Sequence, residues 1–135
     1  MSRLIFVNLP VENVAVSRAY FAGLGFEFND RFCDESTACM AINDSAWMML
    51  LEHDKFRVFI EDDICDTTTA REVLTCISAD SRQGVDDLVD AAIAAGGTKW
   101  MNPHDADYMY SRAFRDLDNH VWEVMWMDPA ATGQQ

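Results

Sequence analysis

The sequence predicts an α+β fold: two βαβββ modules forming curved mixed sheets around a cleft, with the helices on the outside. Three observations carry this expectation. A strand-like run followed by an amphipathic helix occurs twice, at 6–21 and again at 74–91. Each helix pattern stops at glycine, at Gly25 and at Gly97. Between the halves lies an acidic and polar stretch that keeps no period, residues 53–71. The repeat is about 65 to 70 residues long, with little identity between its copies. The expected organisation is one domain over 1–135, with modules at about 1–60 and 71–129.

Residues 3–9 are rich in β-formers, and Pro10 is expected to end that strand. Asn13 can cap a helix whose stripe is Val14, Ala15, Ala19, Phe21 and Ala22. Gly23-Leu24-Gly25 stops it. Phe26 and Phe28 alternate with polar residues, which predicts a strand over 26–32. Further strands are predicted at 37–42 and 47–52, joined by the turn Asn43-Asp44-Ser45. A helical turn is expected within 54–60. The second module then predicts a strand at 72–79 and a helix capped by Asp80 or Ser81, running to Ala95. The stripe of that helix is Val85, Leu88, Val89, Ala92 and Ile93. A short strand at 98–101, a turn at 102–105, a strand at 108–115, a hairpin turn at 116–119 and a last strand at 121–127 complete the pattern. The tail beyond Pro129 reads as frayed.

Composition narrows the function classes. Net charge is -13, from 23 acidic and 10 basic residues, which argues against nucleic acid and anionic membrane as partners. No apolar run is as long as a membrane span, roughly 20 residues, and a cytoplasmic location is the expectation. Cys33, Cys39, Cys65 and Cys76 form no C-x-x-C pair, so a zinc ribbon is not expected and the thiols should be reduced. Cys39 and Cys76 sit in apolar runs and read as small core residues. His104 and His120 fall in turns and read as surface residues, whereas His53 borders the connector.

The last strand carries one carboxylate, Glu123, amid apolar residues. An ionised carboxylate is costly to bury without a partner or a metal. It therefore faces either a polar cavity or an exposed edge. Strand alternation groups Phe6 with Asn8, Leu74 with Cys76 and Ser78, Glu123 with Met125, and Leu50 with Glu52. These sets are expected to line a mostly apolar cavity in which Asn8, Glu52 and Glu123 are the polar anchors. Tyr110 and Arg112 are candidates for holding a ligand, Arg112 by clamping an anion. An ion pair to a carboxylate is the alternative for Arg112.

Three segments resemble a known superfamily. Phe6-Val-Asn-Leu-Pro-Val-Glu-Asn-Val resembles the opening strand and turn of the vicinal oxygen chelate superfamily, which includes glyoxalase, bleomycin-resistance and extradiol-dioxygenase proteins. Tyr20-Phe-Ala-Gly-Leu-Gly-Phe26 resembles its helix end, and Asp116-Leu-Asp-Asn-His-Val-Trp-Glu resembles its closing turn and strand. Metal-using members carry ligands on the first and fourth strands of one half and on the first and last of the other. Carried over by resemblance, those positions fall on Phe6, near Leu50 (with Glu52 two residues on), on Leu74 and on Glu123. Only Glu123 keeps a ligating side chain, and a divalent ion needs three or four donors.

The resemblance therefore implies a small-molecule binding protein of the bleomycin-resistance type, needing no cofactor and pairing as a homodimer. Its ligand would meet Phe6, Asn8, Leu50, Leu74, Cys76, Tyr110, Arg112 and Met125. The alternative is a metal-dependent lyase or isomerase related to glyoxalase I. Glu123 and Glu52 would then be its catalytic carboxylates, and a rearranged divalent-metal site would draw on Asn8, Glu52, His53 and Glu123.

Overall fold

The computed structural model describes residues 3–132. The chain divides into two compact units, Met1–Cys65 and Asp66–Gln135, each considered by itself. In the first unit the order is β1 (Ile5–Val11), α1 (Val14–Gly23), β2 (Glu27–Phe28), a 3-10 turn (Asp30–Phe32), β3 (Thr37–Asn43), β4 (Ala46–Glu52) and α2 (His53–Arg57). In the second it is β5 (Leu74–Ser78), α3 (Arg82–Ala94), β6 (Thr98–Ala106), β7 (Met109–Arg115), β8 (Val121–Met127) and the short α4 (Pro129–Thr132). The two sheets share one topology. Each has four strands, ordered β1-β4-β3-β2 and β5-β8-β7-β6, with the first strand parallel to the last and antiparallel pairing elsewhere. The helix after the first strand supplies the long crossover that a parallel pair requires.

The helix ends form as the sequence reads. The Asn13 side chain accepts from Val16 N at the start of α1, and the Ser81 hydroxyl accepts from Gly84 N at the start of α3. Past their ends, Gly25 and Gly96 adopt φ of 101° and 122°, a region that only glycine enters without strain. The buried stripe of α1 differs from expectation. It is Val14, Ser17, Tyr20 and Phe21, and Ala15, Ala19 and Ala22 are exposed. The two aromatic rings set the rotation of the helix because they have the most apolar area to bury. In α3 the buried residues are Val85, Val89 and Ala92, with Leu88 and Ile93 half-buried.

Three other segments depart from expectation. Pro10 lies inside β1, which an edge strand tolerates because one side of it carries no ladder. The strand expected at 26–32 shrinks to two residues. Asn29 caps the following turn, its side chain accepting from Arg31 N at 3.1 Å, and that local bond pulls the backbone out of the extended form. The turn expected at 102–105 is strand instead. β6 carries a bulge between Trp100 and His104, with Met101 at φ 59°, and the pairing with β7 resumes beyond it. At the C-terminus Pro129–Thr132 forms a helical turn, and residues 133–135 of the expected frayed tail lie outside the described residues.

Each sheet has a face covered by its helix. Under α1 lie Leu9, Val11, Met40, Met48 and Leu50, all at most 3% exposed. Under α3 lie Phe114, Trp122 and Val124. Trp122 is fully buried, and its indole N–H donates to Asp116 Oδ2 at 2.9 Å, so the polar edge of the ring is satisfied within the core.

Candidate functional site

The opposite, open faces of the two sheets carry the candidate residues, and strand register decides which residues those are. In β1 and β4 the partners are Phe6 with Trp47, Asn8 with Met49, and Leu9 with Leu50. Directly paired residues share a face. The Phe6 and Trp47 rings stack, with centroids 6.5 Å apart and planes 12° from parallel. Phe6, Asn8, Trp47 and Met49 therefore stand on the open face, to which β3 adds Ala41, while Cys39, on the same side by register, is covered and buried.

Leu50 and Glu52 do not join them. Leu50 is fully buried on the face beneath α1. Glu52 Oε2 accepts from Val14 N at 2.9 Å, taking up one of the orphan donors in the first turn of α1. This corrects the expectation that Leu50 and Glu52 line a cavity with Phe6 and Asn8. The stretch Trp47-Met48-Met49-Leu50-Leu51 is apolar at every position, so alternation within it could not show its phase. His53, which borders the connector, is the half-buried first residue of α2.

In the second unit Glu123 pairs with Cys76 on one side and Ala113 on the other. The same open face carries Leu74, Cys76, Ser78, Met125, Ser111, Ala113, Arg115, Trp100 and His104. Glu123 is half-buried, and no hydrogen bond or ion pair ties it among the described residues. Leu74 is 55% exposed. Cys76, read from the sequence as core, is exposed on this face, whereas Cys39 is buried. Loss of water around the sulfur, and then the Glu123 charge, push the Cys76 thiol up from its ordinary value. It therefore stays a thiol at neutral pH.

Tyr110 and Arg112 face the other way. The Tyr110 hydroxyl donates to Asp86 Oδ1 at 2.7 Å, and Arg112 Nη1 donates to Asp86 and Asp90 at 2.9 Å each. Both acids lie on α3, spaced four apart so that they project from one helix face. These bonds, the one from Tyr110 foremost, hold the Asp86 carboxyl below the usual range. Tyr110 and Arg112 thus tie the helix to the sheet and are not on the Glu123 face, so they do not join Glu123 in one ligand-holding set. The acidic pair at positions 86 and 90 was the sequence signal for this alternative.

His120 is also placed differently from expectation. It is 2% exposed, and its Nδ1 lies 2.9 Å from Glu72 Oε1. Beside it, Asp116 accepts from the backbone N–H of Asp118 and His120 as well as from Trp122. Burial raises the Asp116 carboxyl against those bonds.

The open-face positions matching the superfamily's first-strand ligands, Phe6 and Leu74, carry no donor atom. Among the described residues no three His, Cys, Asp or Glu side chains come together in a group that could hold a metal. The residues present do not fit the superfamily's metal.

Comparison with solved structures agrees on the fold. A hypothetical protein, SA1046, from S. aureus superposes with a TM-score of 0.79 at 24% identity, covering 93% of this chain and 95% of that one. A glyoxalase/bleomycin resistance protein/dioxygenase family enzyme from Burkholderia phytofirmans PsJN superposes with a TM-score of 0.76 at 20% identity, covering 93% and 99%. The fosfomycin resistance protein FosX from Listeria monocytogenes gives 0.66 at 18%, covering 93% of each chain. No family model and no curated protein matches the chain. The chain has the fold of the glyoxalase/bleomycin-resistance/dioxygenase proteins.

Proposed function

We propose that this protein is a member of the glyoxalase/bleomycin-resistance group that binds a small organic molecule on the Glu123 face without the group's metal. One observation carries the reading. The open faces retain aromatic and apolar side chains, including Phe6 and Leu74, where a metal-using relative would need ligands. An apolar surface with a few polar anchors is the usual make-up of a small-molecule site. Asn8 and Glu123 are the polar groups from the sequence reading that remain on these faces, and Leu74, Cys76 and Met125 surround Glu123.

The enzymatic alternative, a metal-dependent lyase or isomerase, needs Glu52 beside Glu123. Glu52 is instead engaged by the first turn of α1. By resemblance of fold, the proposed working form is a homodimer. Leu4, Ile5 and Phe6, each more than half exposed at β1, supply apolar area for such pairing.

The test combines metal analysis with thermal melting. Protein purified without added metal is expected to carry less than stoichiometric nickel, zinc, manganese or iron, and to show no melting shift on their addition. A panel of small aromatic and aliphatic metabolites should include one that raises the melting temperature through binding to the folded state. That shift should disappear in Glu123→Ala. One metal per chain, lost in Glu123→Ala, would refute the metal-free reading.

A further inference from the structure

The second unit places two arginines over one tryptophan on the open face. The Arg71 guanidinium carbon lies 4.8 Å from the Trp100 ring centroid and that of Arg115 lies 5.6 Å from it. Arg115 is held by its Nε–H, which donates to Thr98 Oγ1 at 2.9 Å. Arg71 is held by Nη1, which donates to the Asn119 carbonyl. These bonds position the two side chains and use only part of their donor sets, since each guanidinium carries five N–H groups.

Two further facts bear on this pair, which shares its lack of a carboxylate partner with Arg3, Arg31 and Lys99 among the described residues but differs from them in lying over an aromatic ring. Arg18, Lys55, Arg57, Arg82 and Arg112 each hold a carboxylate. Among the described residues no carboxylate bonds Arg71 or Arg115, although the chain has a net charge of -13. Glu72, next in sequence, is engaged by His120 instead. In addition, Arg71 Nε is buried and lacks a hydrogen-bond partner. A buried donor left unpaired costs about 1–3 kcal/mol, so it marks a place where an acceptor belongs.

We propose that Arg71, Trp100 and Arg115 form an anion subsite for the carboxylate or phosphate group of a small organic ligand. This deepens the proposed function by giving the ligand a charge, and it rests on that reading for the rest of the molecule. Trp100 and Glu123 flank Ala113, as their cross-strand pairing shows. Ala113 projects only a methyl group, leaving a shallow floor between them. A ligand lying over Ala113 would place its anionic end at the two arginines and its body against the sheet, with Glu123 at the far side. Planar guanidinium forks match both carboxylate and phosphate oxygens. The cation–π contact to Trp100 keeps the forks in place while leaving their outer N–H groups for the ligand.

The experiment follows the Trp100 indole N–H by nuclear magnetic resonance, assigned through Trp100→Phe. Inorganic phosphate, phenylphosphonate and benzoate are titrated, with benzamide as the uncharged control. Saturable shifts are expected with the anions at up to millimolar concentration and none with benzamide. Phosphonate and benzoate affinities would then rank the two oxyanion types. Arg71→Gln and Arg115→Gln should each weaken binding by roughly tenfold or more. Arg115→Lys, which keeps the charge but not the fork, should fall between. Melting curves establish that each variant is folded, and the lysine variant serves if a glutamine variant is not.

Failure to shift with any of the anions, an equal shift with benzamide, or unchanged affinity in the folded variants would overturn the subsite. Binding of phosphate but of no organic probe would keep the subsite and sink the small-molecule reading. Organic probes that bind regardless of both substitutions would keep that reading and overturn the subsite.

Discussion

Single residues show how far a side chain's role depends on the face it occupies. Glu52 and Glu123 look alike in the sequence, each a carboxylate in a strand rich in apolar residues. One is tied to a helix N-terminus and the other stands on the open face. Asp86 gives the clearest chemical test. Its folded-state acidity is strengthened first by the Tyr110 hydroxyl and then by Arg112. A carboxyl with a depressed folded-state value stabilises the fold above the ordinary carboxylate range, near pH 4, and that contribution is lost as pH falls through the folded-state value. Wild type should therefore melt a few degrees above Asp86→Asn at neutral pH, with the gap closing in acid. Melting both proteins from pH 7 downward checks this, and a gap independent of pH would refute it.

Among the elements, helix boundaries were legible in the sequence and strand phases were not. Asn13 and Ser81 announce helix starts because their short side chains bond the free N–H groups of the first turn. Gly25 announces one end; at the other the left-handed turn falls on Gly96, one residue before the Gly97 expected to stop the helix. By contrast, β4 has no polar position between Trp47 and Leu51 to mark its phase, and only its register against β1 shows that Leu50 belongs to the core. Arg112 and Tyr110 carried a signal that needed the geometry of a second element, α3, to be read. The two glycines differ in a testable way. A Cβ at Gly96 would come within 3.1 Å of Leu117 Cδ2, whereas at Gly25 it would meet nothing within 4 Å. Both positions impose positive φ. Gly25→Ala should cost about 1 kcal/mol from the backbone alone, and Gly96→Ala about 1–2 kcal/mol. Chemical denaturation of the two variants should give that order, and equal losses would show that Leu117 yields freely.

At the scale of the whole molecule, the βαβββ repeat could be read from order alone, because a parallel first and last strand demand a helix between them. Which faces stay open could not, since that depends on the register of all the strands. The proposed homodimer must also overcome the charge of two chains, each at -13. Salt screens such repulsion with a Debye length of about 10 Å at 0.1 M. Light scattering is therefore expected to give twice the 15.3 kDa chain mass, with association strengthening as salt rises. A mass that stays at one chain across the salt series would refute the dimer.

The prolines bear on a hazard that every open sheet carries. The edges of these sheets are formed by β1 and β2 in one unit and by β5 and β6 in the other. An edge strand with an unbroken row of N–H groups is a template on which stray chains can add as further strands. Pro10 interrupts that row in β1 and Pro103 interrupts it in β6, where the bulge adds a kink. The remaining edges are short: β2 has two residues and β5 has five. The same open architecture that leaves one face of each sheet uncovered thus offers few unbroken edges on which a stray strand could add.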